Sequence, residues 1–189
     1  MKSRIILSRQ QFEITINRLC YQLIENHNDF KNSVIIGLQP RGIFLSERIC
    51  STLKKLLPAS NIISGNLDIT FFRDDFKRRD NPIIPSGTAI DFIIENMNVI
   101  LIDDVLYTGR TIRAGLDALL AFGRPGRVEL LTLIDRKFSR HLPIEPNYTG
   151  IAIDTISSDK VIVKWKETDG EDVVTLITRG EKEVINNKS

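Results

Sequence analysis

The sequence lacks the features that mark membrane and secreted proteins. No apolar run reaches about 18 residues, so we expect no transmembrane helix and no membrane partner. Residues 1–10 carry a short apolar patch without the apolar core and small-residue cleavage site of a signal peptide. Only two cysteines are present, and both Cys20 and Cys50 fall on apolar stripes of predicted helices. We therefore expect a cytoplasmic protein with buried free thiols.

The sequence also has a small net charge and only two histidines. A formal net charge of +2 is too small to indicate a nucleic-acid partner, although it leaves room for a local basic face. Neither His27 nor His141 has neighbours in a catalytic or metal-binding pattern, so we expect both on the surface. Without repeats, low-complexity tracts or linkers, the 189 residues predict one domain over 1–189, with residues 180–189 disordered.

Apolar periodicity predicts alternating helices and strands. A capping box at Ser8 and Gln11 begins the first helix, a second is predicted at 42–57, and a third runs from about Ile112 to Gly123. The charged segment 73–87, which contains prolines, is predicted to be a mobile loop. Strands are predicted at 33–38, 61–72, 98–103, 128–135, 148–154, 160–165 and 172–178. This alternation is typical of an α/β domain with a mainly parallel central sheet flanked by helices.

The stretch VILIDDVLYTGRT, residues 99–111, places two acidic residues at the end of a buried strand. Ligands bind at the carboxyl ends of strands in open α/β sheets, and the adjacent Asp103 and Asp104 repel unless a hydroxyl or a cation meets them. The turn that follows has Gly109 for backbone freedom, the hydroxyls of Thr108 and Thr111, and a helix amino terminus, all of which suit an anion. Together they predict a site for a phosphorylated ribose.

Three other interpretations of this stretch are weaker. A core strand with a polar end and a capped helix leaves the aspartates and threonines unexplained together. A P-loop NTPase needs a Lys-Ser/Thr pair, but residues 37–44, GLQPRGIF, have the glycine spacing with Ile-Phe instead. A receiver domain normally has its acidic pair on the first strand, whereas Asp103 lies past the midpoint of this chain.

VILIDDVLYTGRT resembles the PRPP-binding motif of type I phosphoribosyltransferases. The longer DDVLYTGRTIRAGLDALLAFGRP resembles the PyrR family, which comprises bifunctional pyrimidine-operon regulators and uracil phosphoribosyltransferases. Residues 37–49 resemble that family's pyrophosphate loop and following helix, 67–75 its lid, and 130–150 its base-side segment. The resemblance covers most of residues 5–165. It implies the type I phosphoribosyltransferase fold, with a small β-rich hood beside the sheet.

The resemblance implies transfer of ribose 5-phosphate from PRPP to uracil, which yields UMP and pyrophosphate and requires Mg²⁺. Asp103 and Asp104 are implied to bind the ribose hydroxyls and stabilise positive charge in the transition state. Mg²⁺ would be held mainly by the substrate, with these two aspartates as its protein ligands. The implied 5′-phosphate site comprises Val105, Leu106, Tyr107, Thr108, Gly109, Arg110 and Thr111.

The implied pyrophosphate loop is Pro40, Arg41 and Gly42. Arg41 is the expected catalytic contact to the leaving pyrophosphate, because a guanidinium can donate two parallel hydrogen bonds to phosphate oxygens. The family usually has threonine before this arginine, so Pro40 removes a hydroxyl and an N–H donor. Proline also lowers the cost of a cis bond between Gln39 and Pro40.

The lid and the base side complete the implied site. Arg73 and Lys77 of the lid are expected to reach the pyrophosphate when the lid closes and excludes water. Arg136 is expected to face the base or the pyrophosphate. Backbone groups around Val161 are expected to recognise uracil.

The resemblance also leaves open a second function, in gene regulation rather than in catalysis. The resemblance implies a regulator that senses UMP or UTP and binds a pyrimidine-operon mRNA leader, with weak or no catalysis. Its basic face would include Arg18, Arg140 and His141, although the segment after Arg136 is one residue longer than in relatives. A phosphoribosyltransferase for a purine base is a further alternative. Relatives also imply a homo-oligomer, a dimer or a tetramer.

Overall fold

The computed structural model describes residues 2–73 and 87–178. The strands are β1 Lys2–Leu7, β2 Ser33–Leu38, β3 Ile63–Leu67, β4 Asn98–Leu106, β5 Arg127–Lys137, β6 Tyr148–Asp154, β7 Lys160–Lys164 and β8 Val173–Thr178. The helices are α1 Arg9–His27, α2 Gly42–Leu56, α3 Arg110–Leu119 and α4 Lys166–Asp169, with a 3₁₀ turn at Thr70–Phe72.

The strands form two sheets. A five-stranded parallel sheet has the order β3-β2-β4-β5-β6, and a three-stranded antiparallel sheet has the order β1-β8-β7. Helices α1 and α2 pack on one face of the parallel sheet and α3 packs on the other, so β2 and β4 are buried throughout most of their length. This confirms the predicted mainly parallel α/β sheet, and β1-β8-β7 is the expected hood. The central position of β4 brings its carboxyl end to the middle of the sheet edge.

Two sequence predictions about strands need correction. Strand β1 was not predicted, because its partner β8 lies about 170 residues away in the chain and residues 2–7 show no clear alternation. The strand predicted at 61–72 ends at Leu67, and residues 70–72 form the 3₁₀ turn. The carboxylate of Asp68 accepts a hydrogen bond from the Thr70 N–H at 2.8 Å, which stabilises a turn instead of a longer strand.

The predicted thiols are confirmed. Cys20 and Cys50 are both free and buried, and burial raises the pKa of the Cys20 thiol to about 12. Residues 74–86 and 179–189 lie outside the described residues, so the mobile loop, the disordered carboxyl terminus and the single domain over 1–189 stay predictions. Within the described ranges, every helix is too short or too polar to cross a membrane.

His27 is not the surface residue that the sequence predicts. Its side chain is only 4% exposed, and its ring nitrogens lie 2.8 Å from the Ser33 hydroxyl and 2.9 Å from the Glu129 carboxylate. The Tyr148 hydroxyl donates to the same carboxylate at 2.7 Å. Helix α1, β2, β5 and β6 are thereby joined at the amino end of the sheet. These partners are distant in sequence, whereas His141 is exposed as predicted.

We expect His27→Ala to lower the free energy of unfolding by about 1–3 kcal/mol, because it removes the hydrogen bonds of the ring to the Ser33 hydroxyl and to the buried Glu129 carboxylate, which then keeps its bond from Tyr148. Urea unfolding of the variant beside His141→Ala measures the difference. The exposed His141 should change stability by less than about 0.5 kcal/mol. Equal effects of the two substitutions would mean that the buried hydrogen bonds do not stabilise the fold.

Candidate active site

Asp103 and Asp104 lie near the end of β4, at the centre of the parallel sheet. Both are largely buried, with 7% and 8% of their surface exposed. The Asp104 N–H donates to the Asp103 carboxylate at 3.0 Å, which orients one of the two side chains. The pair therefore sits where open α/β sheets bind their ligands.

Burial makes the charge of this pair unfavourable. It raises the pKa of Asp103 well above its ordinary value, and the neighbouring Asp104 raises it further. Burial also raises the pKa of Asp104, against the opposing effect of the Arg41 guanidinium. Two buried carboxylates with this electrostatic cost suit a ligand that supplies hydroxyl groups or a cation. The donor set is compatible with a Mg²⁺ ion that takes most of its ligands from substrate and water.

The predicted phosphate turn follows the pair directly. A cleft of about 170 Å³ is lined by Arg73, Asp103 and every residue of 105–112. Helix α3 begins at Arg110 after Gly109, whose φ of +90° favours glycine, and the Thr108 hydroxyl accepts from the Arg110 N–H at 3.4 Å. The structure thus brings Asp103, the turn and a helix amino terminus to one cleft, although residues 74–86, including Lys77, lie outside the description.

The predicted pyrophosphate loop lies beside the acidic pair. The bond between Gln39 and Pro40 is cis, and the Gln39 side chain donates to the Gly87 carbonyl at 2.7 Å. Gly42 begins α2 against β4, where a Cβ atom would lie 2.4 Å from the Ile102 carbonyl oxygen and 3.0 Å from the Asp103 Cα. Only glycine allows the loop to approach the acidic pair this closely.

We expect Gly42→Ala to destabilise the protein by about 1–3 kcal/mol, because the new methyl group forces backbone apart in a packed region. Thermal unfolding of the variant beside Gly170→Ala provides a comparison. A Cβ at Gly170 would meet nothing within 4 Å, although its φ of +81° brings a strain of its own. If Gly42→Ala is no less stable than wild type, the close approach is not a constraint.

Arg41 joins the loop, the acidic pair and the hood. Its Nε donates to the Asp104 carboxylate at 3.3 Å, its guanidinium lies 3.5 Å from the Asp169 carboxylate, and it donates to the Val163 carbonyl. The side chain is 42% exposed, so part of it remains available to a ligand. The sequence predicted Arg41 as a site residue but gave no signal for the hood partners, which lie more than 120 residues along the chain.

The two residues predicted for the base side lie on different sheets, Val161 in the hood and Arg136 on β5 of the parallel sheet. Val161 is half-buried on β7, two residues before Val163, the contact of Arg41. Arg136 is buried, with its guanidinium 3.9 Å from the centre of the Tyr107 ring. It donates to the Thr155 hydroxyl at 3.1 Å and to the Asp159 carbonyl at 3.0 Å. Arg136 thus connects the phosphate turn to the loop that leads into β7, and its contact with the base stays a prediction.

The three residues predicted for RNA binding have different surroundings. Arg18 is exposed on α1 and donates to the backbone carbonyls of Thr149 and Gly150, at 3.2 Å for Thr149. His141 is exposed. The guanidinium of Arg140 points inward to the backbone of the phosphate turn, a contact that the sequence did not suggest.

Comparisons with known proteins agree with this geometry. The phosphoribosyl transferase domain family matches residues 3–167. A "Bifunctional protein PyrR" from Endomicrobium trichonymphae is 44% identical over 178 residues, covering 93% of this chain and 99% of that protein. Proteins of the same name are 41% identical in Desulfosudis oleivorans, covering 92% of this chain and 95% of the relative, and 38% identical in Bacillus subtilis, covering 91% and 95%.

Solved structures resemble the fold. A hypoxanthine phosphoribosyltransferase from Staphylococcus aureus aligns with a TM-score of 0.68 at 18% identity, covering 95% of this chain and 94% of that one. The hypoxanthine phosphoribosyltransferase of Trypanosoma cruzi aligns with a TM-score of 0.70 at 13% identity, covering 94% and 97%. At these identities the likeness concerns the fold, and it confirms the expected type I phosphoribosyltransferase architecture.

Proposed function

Because this chain belongs to the PyrR family of phosphoribosyltransferase-domain proteins, we propose that it converts uracil and PRPP to UMP and pyrophosphate. The observation that carries the proposal is the shared cleft, in which the buried Asp103 lies beside the turn of residues 105–111. One part of that cleft suits ribose hydroxyls and the other suits a phosphate.

The proposed reaction exchanges two bonds at the anomeric carbon of the ribose. The bond to pyrophosphate breaks and pyrophosphate leaves with the electron pair, the bond to N1 of uracil forms, and the N1 proton is released to solvent. Positive charge develops on the ribose as pyrophosphate departs, and the carboxylates of Asp103 and Asp104 stabilise it while holding the ribose hydroxyls. Backbone N–H groups of the turn and the hydroxyls of Thr108 and Thr111 hold the 5′-phosphate.

Arg41 is assigned to bind the leaving pyrophosphate, because its partly exposed guanidinium lies beside Asp104 and can donate hydrogen bonds to phosphate oxygens. Arg73, which lines the same cleft, is a second cation for the pyrophosphate. Bound Mg²⁺ would neutralise charge on pyrophosphate and ribose oxygens, with Asp103 and Asp104 as its protein ligands. Val161 on β7 is assigned to the uracil side because Arg41 joins that strand to the pyrophosphate loop.

The test is pyrophosphate release from PRPP and Mg²⁺ in parallel reactions with uracil, hypoxanthine, guanine and orotate. Turnover with uracil alone is the expected result. Turnover with a purine would contradict the assigned base and favour the alternative of a purine phosphoribosyltransferase. If PRPP binds but no base reacts, the catalytic proposal fails and the regulatory one becomes the first candidate.

The second proposed function is binding of a pyrimidine-operon mRNA leader under the control of UMP or UTP. Phe138 supports it, since its side chain is 86% exposed next to Lys137 at the end of β5. Both residues border a hollow of about 370 Å³ that includes Thr149, whose carbonyl accepts from Arg18. Exposed aromatic rings stack on unpaired bases, and cations beside them contact the phosphates.

Binding of the leader transcript at several salt concentrations tests this proposal. A Phe138→Ala variant should bind less tightly, and Arg18→Gln should lower the salt slope by about 0.7 if it removes one phosphate contact. Absence of binding by the wild-type protein at low salt would refute it.

We further propose a cytoplasmic homo-oligomer, a dimer or a tetramer, with the two free thiols in keeping with a reducing compartment.

A further inference from the structure

Arg140 is surrounded by acceptors on one side of the phosphate turn. Its guanidinium donates to the carbonyls of Leu106 at 3.3 Å and Tyr107 at 2.5 Å, and also to the Asp135 carboxylate. Further bonds reach the carbonyls of Arg136 at 3.0 Å and Ile144 at 2.9 Å. Only 21% of the side chain is exposed. A guanidinium with this many acceptors is fixed in place.

The backbone that follows Arg140 continues the same contact. The N–H groups of His141 and Leu142 both donate to the Thr108 carbonyl, at 3.0 Å and 3.2 Å. Residues 140–142 therefore bind the carbonyls of three consecutive residues, Leu106, Tyr107 and Thr108.

The geometry of the peptide bond determines where the N–H donors of the turn point once its carbonyls are bound. In a planar trans peptide, the carbonyl of one residue and the N–H of the next point in opposite directions. Since the carbonyls of Tyr107 and Thr108 point to residues 140–142, the N–H groups of Thr108 and Gly109 point away from them. Thr108 and Gly109 line the cleft in which the 5′-phosphate is proposed to bind.

We propose that Arg140, with the backbone of His141 and Leu142, is the positioning element that fixes the donors of the 5′-phosphate site. The inference deepens the proposed function and rests on it for the identity of the anion. Arginine suits this role because its planar guanidinium donates to several carbonyls at fixed angles, which a lysine ammonium does not. The same contacts direct Arg140 away from solvent, in contrast to its predicted role in RNA binding.

Calorimetric titration with two separate ligands tests the inference. Ribose 5-phosphate reports on the turn, and pyrophosphate with Mg²⁺ reports on Arg41 and its loop. Arg140→Ala should weaken ribose 5-phosphate binding by about tenfold, the equivalent of losing one or two net hydrogen bonds, and leave pyrophosphate binding within about twofold. Arg140→Lys should recover only part of the loss.

Two more variants separate positioning from general destabilisation. Lys54→Ala, which removes an exposed cation of α2 outside the cleft, should bind ribose 5-phosphate as wild type does. Asp135→Asn keeps an oxygen acceptor but removes the charge that holds Arg140, so it should weaken ribose 5-phosphate binding less than Arg140→Ala.

The outcomes distinguish the inference from the proposed function. If Arg140→Ala weakens both ligands equally, or neither, the positioning role is wrong although the site stands. If the wild-type protein binds no ribose 5-phosphate, the proposed function fails and the inference fails with it.

Discussion

Asp103→Asn should lower turnover by on the order of 10²–10³, because the amide removes a charge that stabilises the developing cation on the ribose. The same change should raise stability at neutral pH by about 1 kcal/mol, a Tm increase of about 2–4 °C, since it removes one of two buried like charges. The amide oxygen of asparagine can still accept the Asp104 N–H. Steady-state kinetics and thermal unfolding measure the two effects.

The pH dependence of the free energy of unfolding should show whether the Asp103 charge stabilises or destabilises the fold. Burial and Asp104 raise the pKa of Asp103 in the folded protein, so the folded state binds the proton more tightly than the unfolded state. Wild-type stability should therefore rise as pH falls from the raised pKa toward the ordinary aspartate value. The advantage of Asp103→Asn should be largest at neutral pH and shrink through this range.

Asp117→Asn is the matched control, because Asp117 is an exposed acid on α3 outside the cleft. It should change neither turnover nor the pH dependence of stability. An Asp103→Asn variant with wild-type turnover would refute the assigned role. One that is inactive and also less stable would show that the carboxylate stabilises the fold, contrary to the electrostatic argument.

Arg41→Gln should raise the KM for PRPP by about 10–100-fold, since a charge-assisted hydrogen bond to phosphate contributes about 1.5–3 kcal/mol. It should also weaken inhibition by added pyrophosphate. Initial rates at varied PRPP and fixed uracil measure the first effect, and product-inhibition kinetics measure the second.

Arg48→Gln controls for the attachment of the hood. Arg48 lies on α2 and binds the segment that joins hood strands β7 and β8, with the Glu167 carboxylate at 2.7 Å and that of Asp172 at 2.6 Å, but it does not line the cleft. The variant should lose stability with little change in the KM for PRPP. If both variants raise that KM equally, the effect comes from the hood and not from a contact between Arg41 and pyrophosphate.

The sequence predicted the parts of the site that are local in the chain. Residues 99–111 encode a buried strand, an acidic pair and a glycine turn in one stretch, so their proximity follows from the strand-turn-helix order. Arg41 was predicted because residues 37–49 resemble the pyrophosphate loop of the family and the helix that follows it. Gly42 belonged to the same loop, but the contact that makes it necessary, with Ile102, is visible only in the structure.

What the sequence could not predict depends on contacts between distant segments. Arg140 sits in a charged, irregular stretch that suggests an outward cation, and only its inward turn reveals the carbonyls it binds. The hydrogen bonds of His27 to Glu129 and of Arg41 to Val163 each join residues about 100 or more positions apart. The periodicity of apolar residues and the spacing of motifs carry no information about which distant residues form such pairs.

We propose that the ribose binds at Asp103 and Asp104 and that its phosphate binds at the turn of residues 105–111. Amide spectra of ¹⁵N-labelled protein titrated with PRPP and Mg²⁺ locate both parts of the ligand in one experiment. We expect saturable shifts of the amide signals of Asp104 and of Thr108 to Thr111, with little change around His27 at the other end of the sheet. Saturable binding that leaves the signals of the turn unchanged would contradict it.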